Sequence, residues 1–534
     1  MPYLQRQRTT GCRRSGCGFI NTTRASLVTG RPTWAGGALD GFCVNSGAWI
    51  IGANGLNGAT LASAPQGRVD ARPALSLDVG AAAGMYANQI YLLANEQGPG
   101  VNISGRVEAR AGGLSLDAAG NLTFSGALKT SVAGSATVVS AGGVSAVGGS
   151  IDSAGMALVQ SAGGLGWAGG SIKASDVMLA TAGSLTTEAL ALQASADVGL
   201  SSAAELSLKA GSIKAGSNVN LAAANDLTVQ PTRACSNTSS NGTTGQLTRF
   251  TRTDIDAGGA VAIQSTAGLV TLDGTQIKSG ASIAVQGLGV ALLARKDLTM
   301  TMTMTMTMTM TTTTAGATTA APTTENLVQA RLIAEGDIAL LATGGRDSAG
   351  IEQGRRFVTG AKIEANNGQV SLLAAKDLDI AHDITTDSSD ERFYEVKRGW
   401  FSKRVTDITK TSTEETANPS DISGRSVSIG AGGNLNIVGS LVMADGAVGL
   451  HADQDLNLLA TSESSFAYES RSVSKSGIFG NGGLSITIGS KNSSNSQDTR
   501  QGSSEPLRAA PTRRPADAPA DAPATRQPPA AVLA

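Results

Sequence analysis

Pairs of apolar residues recur along this chain at a fixed spacing, and that spacing limits the possible folds more than any other feature. Leu114/Leu116 are followed eight residues later by Leu122/Phe124, Val198/Leu200 by Leu206/Leu208, and Val219/Leu221 by Leu227/Val229. Val370/Leu372 with Leu378/Ile380, and Val427/Ile429 with Leu435/Ile437, repeat the pattern. A longer period lies over it. Val198 to Val219, Leu206 to Leu227, Val427 to Val448 and Leu435 to Leu456 are each 21 residues apart. "GSID" at Gly149 and "GSIK" at Gly170 keep that step, and the next "GSIK", at Gly211, follows about two periods on.

Alternation within each pair puts both apolar side chains on one face of a strand. Segments such as "AAGN", "AAND" and "AAKD" read as the turns between strands. A unit of some 20 residues cannot bury its own apolar face, but stacked units close a continuous core. The predicted fold is therefore all-β: a right-handed parallel β-helix with about three short strands per coil. A β-sandwich is the competing reading, and sandwiches do not usually hold one register over several hundred residues.

Composition agrees. Glycine is abundant at 67 residues, aromatics make up 3%, charged residues 16%, and the formal net charge is -1. Small residues and aliphatics suit short strands and tight corners. The chain lacks the high charge and low aliphatic content of a disordered protein. The near-zero net charge gives no footprint for nucleic acid. No stretch of 18 consecutive apolar residues occurs, so no transmembrane helix is expected.

Little in the sequence points to catalysis. The two histidines are His382, next to Asp383, and His451; His382 reads as a polar coil-corner residue and His451 as solvent-facing. No G-x-S-x-G elbow, P-loop or H-E-x-x-H motif is present. "GIFGNGG" (Gly477 to Gly483) is not followed by a helix pattern and reads as a turn. Cys12, Cys17, Cys43 and Cys235 do not form a zinc pattern; Cys12 and Cys17 are either a local disulfide or free thiols. No catalytic, cofactor-binding or metal-ligating residue is expected.

Several stretches carry a family likeness. "GCGFINTTRASLVTG" and "GALDGFCVNSGAWIIGANGLNG" resemble the N-terminal secretion domain of filamentous-haemagglutinin-type exoproteins, and "GMYANQIYLLANEQGPGVNISG" its closing segment. "AGGNLNIVGSLVMADGAVGLHADQDLNLLA" and "ESRSVSKSGIFGNGGLSITIGS" resemble that family's haemagglutinin repeats. The resemblance spans most of residues 16 to 490. It implies a bacterial exoprotein exported by two-partner secretion, found outside the cell or on its surface. The implied partners are an outer-membrane transporter and a cell-surface receptor. By the same resemblance, Phe19, Ile20, Asn21, Thr22 and Arg24 would form the transporter-recognition motif. The implied function is an adhesin shaft, with the shaft of a contact-dependent growth-inhibition protein as the alternative. The chain departs from the pattern at its start: "QRQRTTGCRRS" stands where the family has Asn-Pro-Asn-Gly-Ile, no signal peptide precedes it, and Ala59 to Arg72 is short. It reads as a truncated copy without a toxin domain.

The expected organisation is a degenerate secretion domain over 1–105, β-helix over 106–298, a low-complexity Thr/Met insert over 299–324, and haemagglutinin-repeat β-helix over 325–490. Two excursions, 387–419 and 461–490, break the period. The tail, 491–534, carries seven of the fifteen prolines after Glu505 and reads as disordered. The excursion "RFYEVKRGWFSKR" is the candidate partner contact, through Phe393, Tyr394, Trp400 and Phe401. Six Thr-Met pairs run from Thr299 to Met310. "VALLARKDLTM" matches "VSLLAAKDLDI", which puts Leu298/Met300 on the second strand of a coil and makes the rest a strand of variable length looping out of it.

Overall fold

The computed structural model describes the strands within residues 12–65, the chain from 75 to 503 apart from 83, 95–99, 133, 241–242, 310–312, 348–350 and 481–485, and residues 531–533. No helix occurs among the described residues. The chain divides into two compact units. The first comprises Met1–Gln230, Thr253–Val290 and Ile333–Gly354, and the second Pro231–Arg252, Ala291–Leu332 and Arg355–Ala534.

The first unit is a parallel β-helix. One coil runs through Leu114–Ala118, Leu122–Phe124 and Ala127–Thr130. The next runs through Ala136–Ser140, Val144–Val147 and Ser150–Asp152. Each strand pairs in parallel with its counterpart: Leu114 faces Ala136, Leu122 faces Val144 and Ala127 faces Ser150. The 21-residue spacings of the sequence are these pairings, since Val198 faces Val219 and Leu206 faces Leu227. Ile172 faces Leu192, which faces Ile213, so the two "GSIK" segments lie two coils apart.

Alternation decides what is buried. In Val198–Ser202 the inward residues Val198, Leu200 and Ser202 are buried, and those between them are half-exposed. Leu179, Leu200 and Leu221 stack in register, each at most 1% exposed. Fully burying one such side chain contributes about 1.5–3 kcal/mol.

The corner after this strand has its own rule. Ser140, Ser161, Thr181 and Ser202 occupy one register position in successive coils. Their hydroxyls donate to main-chain carbonyls of the coil before: Ser140 to Gly120 at 2.8 Å, Ser161 to Gly142 at 3.0 Å, Thr181 to Gly163, and Ser202 to Gly183 at 2.8 Å. Each corner is thereby tied to the coil before it, and the Gly142 and Gly163 carbonyls also accept the main-chain N–H groups of Gly163 and Gly183. Gly170 serves a different corner. Its φ is +82°, and a Cβ there would meet the Gly149 carbonyl oxygen at 2.0 Å.

Toward the N-terminus, Cys12–Arg14, Phe19–Thr22 and Ala25–Val28 pair in parallel with Leu75–Val79, Gly84–Ala87 and Ile90–Ala94. Arg31–Ala35, Ala38–Cys43, Ala48–Ile51 and Ala62–Pro65 form a four-stranded antiparallel sheet. Phe19, Ile20, Asn21 and Thr22 thus lie on a strand, whereas Arg24 and Cys17 fall outside the described residues.

The second unit has coils of the same kind. Val370 faces Val427, which faces Val448; Leu378 faces Leu435, which faces Leu456. It also carries an eight-stranded antiparallel sheet. In chain order its strands are β1 (Thr232–Ser240), β2 (Thr243–Thr251), β3 (Arg295–Thr309), β4 (Thr313–Val328), β5 (Asp383–Gly399), β6 (Ser402–Asn418), β7 (Glu463–Gly480) and β8 (Ile486–Ser503). They form four hairpins side by side.

This sheet redraws several expected boundaries. The hairpin β1–β2 lies within a stretch read as plain β-helix. Strand β8 runs to Ser503, into the stretch read as a disordered tail; residues 504–530 are outside the described ones. The Thr/Met segment does loop out of the coil, but Leu298 and Met300 are not on a coil strand. They belong to β3, facing Glu325 and Thr323 of β4. The reason is register. Val290 and Leu292 lie on Gly289–Leu293, in the same sheet as Leu378–Ala381, so they match the second strand of the "VSLLAAKDLDI" segment and not its first. The coil has no further strand to place on that sheet, and the chain leaves it at Arg295.

Candidate functional site

The residues singled out in the sequence as a partner contact lie on hairpin β5–β6. The hairpin leaves a coil after Leu378–Ala381 and returns at Asp421–Gly424. Its strands are rich in Thr, Ser and charged residues, which favour a solvated β-ladder over a packed one. Thr406 is its one buried residue.

Carboxylates fix the roots of the hairpins. Asp297 Oδ1 accepts from the Phe250 N–H at 2.6 Å, Asp387 Oδ1 from Glu325 at 3.1 Å, Glu325 Oε2 from Thr386 at 3.0 Å, and Glu463 Oε1 from Ala417 at 3.0 Å. Each of these bonds joins neighbouring strands. Lys296 Nζ sits among them, 3.3 Å from Asp383 and 3.7 Å from Glu325, and donates to the Ile384 carbonyl. Asp383 is thus a partner of Lys296. His382 is a packing peg: its Nε2 lies 2.8 Å from Thr461 Oγ1 and its Nδ1 3.4 Å from the Val438 carbonyl oxygen. His451 is exposed, 3.0 Å from Asp453. No group of three or more His, Cys, Asp or Glu that could hold a metal ion occurs among the described residues.

The four candidate aromatics do not form one patch. Phe393 and Tyr394 are consecutive residues midway along β5, so they point to opposite faces of the sheet. Each is 38% exposed. On the Tyr394 face, Arg392 makes a two-pronged ion pair with Asp407, at 3.1 and 2.8 Å, and its guanidinium lies 6.0 Å from the Tyr394 ring centroid. The hydrogen bond from Arg392 holds the Asp407 carboxyl below its usual range, and Asp407 raises Arg392 in turn. Trp400 and Phe401 stand apart, in the turn joining the two strands. They are 97% and 68% exposed, and their rings meet edge to face at 6.5 Å.

Behind that turn the register lines up cations. Lys397 faces Arg404, Arg404 faces Lys475, and Lys475 faces Lys491, giving one row across four strands. Arg398 faces Lys403 in the adjacent row. Like charges directly opposite each other destabilise a sheet. Glu395 offsets part of this, pairing with Lys397 at 3.1 Å. Sequence reading found the basic and aromatic stretch but missed Lys475 and Lys491, because only the pairing of β6, β7 and β8 brings them beside it.

A small apolar cavity is lined by Phe124, Leu128, Trp167 and their neighbours, and Phe124 meets Trp167 edge to face at 5.4 Å. Arg356 is fully buried, its guanidinium has no hydrogen-bond partner among the described residues, and burial pulls its pKa down to about 9. It faces Leu378 across the ladder, an arginine where the coil pattern calls for an aliphatic residue.

The family model described as Hemagglutinin repeat matches residues 234–321 and 402–506, which include most of seven of the eight hairpin strands. The chain is also similar to "tRNA nuclease CdiA" of Escherichia coli (strain NC101), 37% identical over 150 residues, or 22% of this chain and 4% of that protein. "tRNA nuclease CdiA" of Yersinia mollaretii is 38% identical over 149 residues, 27% of this chain and 5% of the relative. "16S rRNA endonuclease CdiA" of Enterobacter cloacae is 34% identical over 165 residues, 24% of this chain and 5% of the relative. The likeness to filamentous-haemagglutinin-type, two-partner-secretion exoproteins is borne out. These matches reach only about a twentieth of the relatives' length. No solved structure matches the chain.

Proposed function

We propose that this chain is a non-catalytic adhesin shaft, displayed outside a bacterial cell and exported through an outer-membrane two-partner-secretion transporter. The observation that carries this reading is the match of the haemagglutinin repeat to the hairpin strands, one of whose turns presents Trp400 and Phe401 to solvent. The division of labour is physical. Stacked coils supply a rigid core, and the hairpins supply a broad polar surface with an apolar tip. Phe19 to Thr22, on a strand pairing with Gly84–Ala87, would take part in transporter recognition together with Arg24.

A second reading is favoured by the relatives' names: the shaft of a contact-dependent growth-inhibition protein, carrying a toxin toward a target cell. The test is attachment of cells or beads coated with the chain. Binding above that of a scrambled control, reduced in W400S/F401S, supports the adhesin. Inhibition of neighbouring bacteria in co-culture, without attachment, supports the second reading.

A further inference from the structure

The tip of the hairpin sheet joins two properties that are each costly in water. Trp400, at 97% exposed, and Phe401, at 68%, leave an aromatic pair with no cover. Behind them, past the Gly399–Ser402 and Arg398–Lys403 rows, stand Lys397, Arg404, Lys475 and Lys491, cations placed directly opposite one another; Lys397, Arg404 and Lys475 are exposed. Arg398 and Lys403 add a second cationic row. Glu395, two rows behind Lys397 and paired with it at 3.1 Å, is the nearest carboxylate on these strands. At the tip of β5–β6 aromatic residues therefore stand outermost, with cations behind them.

We infer that this end of the sheet is a docking surface for a membrane carrying anionic lipid headgroups. The order of residues fits the depth profile of a bilayer surface. Tryptophan and other aromatics settle at the headgroup level, and apolar side chains enter the acyl boundary. Lysine and arginine meet lipid phosphates, each strengthening attachment to an anionic surface about fivefold. The mutual repulsion of the cationic row is relieved once anions lie against it. A sulfated polysaccharide would also neutralise that row, but it gives a protruding Trp-Phe pair nothing to enter. The inference rests on the adhesin reading and names what its tip touches.

The experiment uses the full chain with vesicles of phosphatidylcholine alone or mixed with phosphatidylglycerol, read by flotation and by tryptophan fluorescence. Binding to the mixed vesicles is expected, at least tenfold over the neutral ones and weakened by salt, with a blue shift absent from W400S/F401S. K397Q/R404Q/K475Q should bind the mixed vesicles about a hundredfold more weakly. Far-UV circular dichroism and melting matching the parent chain show that both variants are folded; W400S alone serves if either is not. Equal binding to both vesicle types, no binding to either, or unchanged binding by folded variants overturns the inference. Cell attachment that persists without vesicle binding overturns the lipid and keeps the adhesin. Binding of heparin without binding of vesicles overturns the lipid in favour of a polysaccharide.

Discussion

Val198–Ser202 in the first unit and β5 in the second are both β-strands, yet they differ in nearly every physical respect. The first is five residues long, pairs in parallel, and buries every second side chain. The second is 17 residues long, pairs antiparallel, and buries none. The coil strand is held by what lies behind it. The hairpin strand is held by its ladder and by the carboxylates and Lys296 at its root. A core residue in a coil is therefore worth far more than any single residue along a hairpin, which is free to vary in length and to carry recognition.

That contrast can be broken at its strongest point. Leu200→Ala should destabilise the first unit by about 2–5 kcal/mol, because the stacked neighbours Leu179 and Leu221 cannot collapse into the space. Denaturant unfolding checks this, and a change under 1 kcal/mol would remove the claim that the stacks carry the fold.

Arg356→Leu should do the reverse. Replacing an unpartnered buried cation with the aliphatic residue of its stack should raise stability by about 1–4 kcal/mol at neutral pH. The sign with pH is fixed. The folded pKa, about 9, lies well below that of an ordinary arginine, so the unfolded state binds more protons above about pH 9. The penalty is complete below about pH 9 and fades as pH rises above it. The advantage of the variant should therefore shrink between pH 8 and pH 10.5, and a constant gap in melting temperature would argue against a buried charge.

Ser202→Ala should cost about 1–2 kcal/mol, since it leaves the Gly183 carbonyl without its hydroxyl donor. Ser412→Ala, on the hairpin, should change stability by less than about 0.5 kcal/mol. If these two shifts proved equal, the distinction between coil corner and hairpin surface would fail.

Much of this was readable in advance, and the misses have physical causes. The coil pairings follow from spacing alone, because a core that must be refilled each turn imposes a period. The serine and threonine corner ladder was equally present, in "VVSAGG", "VQSAGG" and "LATAGS", and went unread because small polar residues at a turn look like mere solvation. The hairpins were harder. A strand such as β1, buried on neither face, shows no apolar period to detect. The Thr-Met run was misplaced because "VALLARKDLTM" and "VSLLAAKDLDI" share letters but occupy different positions in their coils.

The sequence by itself determined that the chain is built of short strands with an inward apolar face, and how far apart equivalent residues lie. Those depend on local alternation and on a core of constant width. Only the tertiary structure decided that four hairpins scattered over residues 232–503 stand in one sheet. It alone set Lys475 and Lys491 beside Lys397 and Arg404, and moved Phe393 and Tyr394 away from Trp400 and Phe401. Those relations depend on which strand edges meet, and strands far apart in sequence leave no local trace of their pairing.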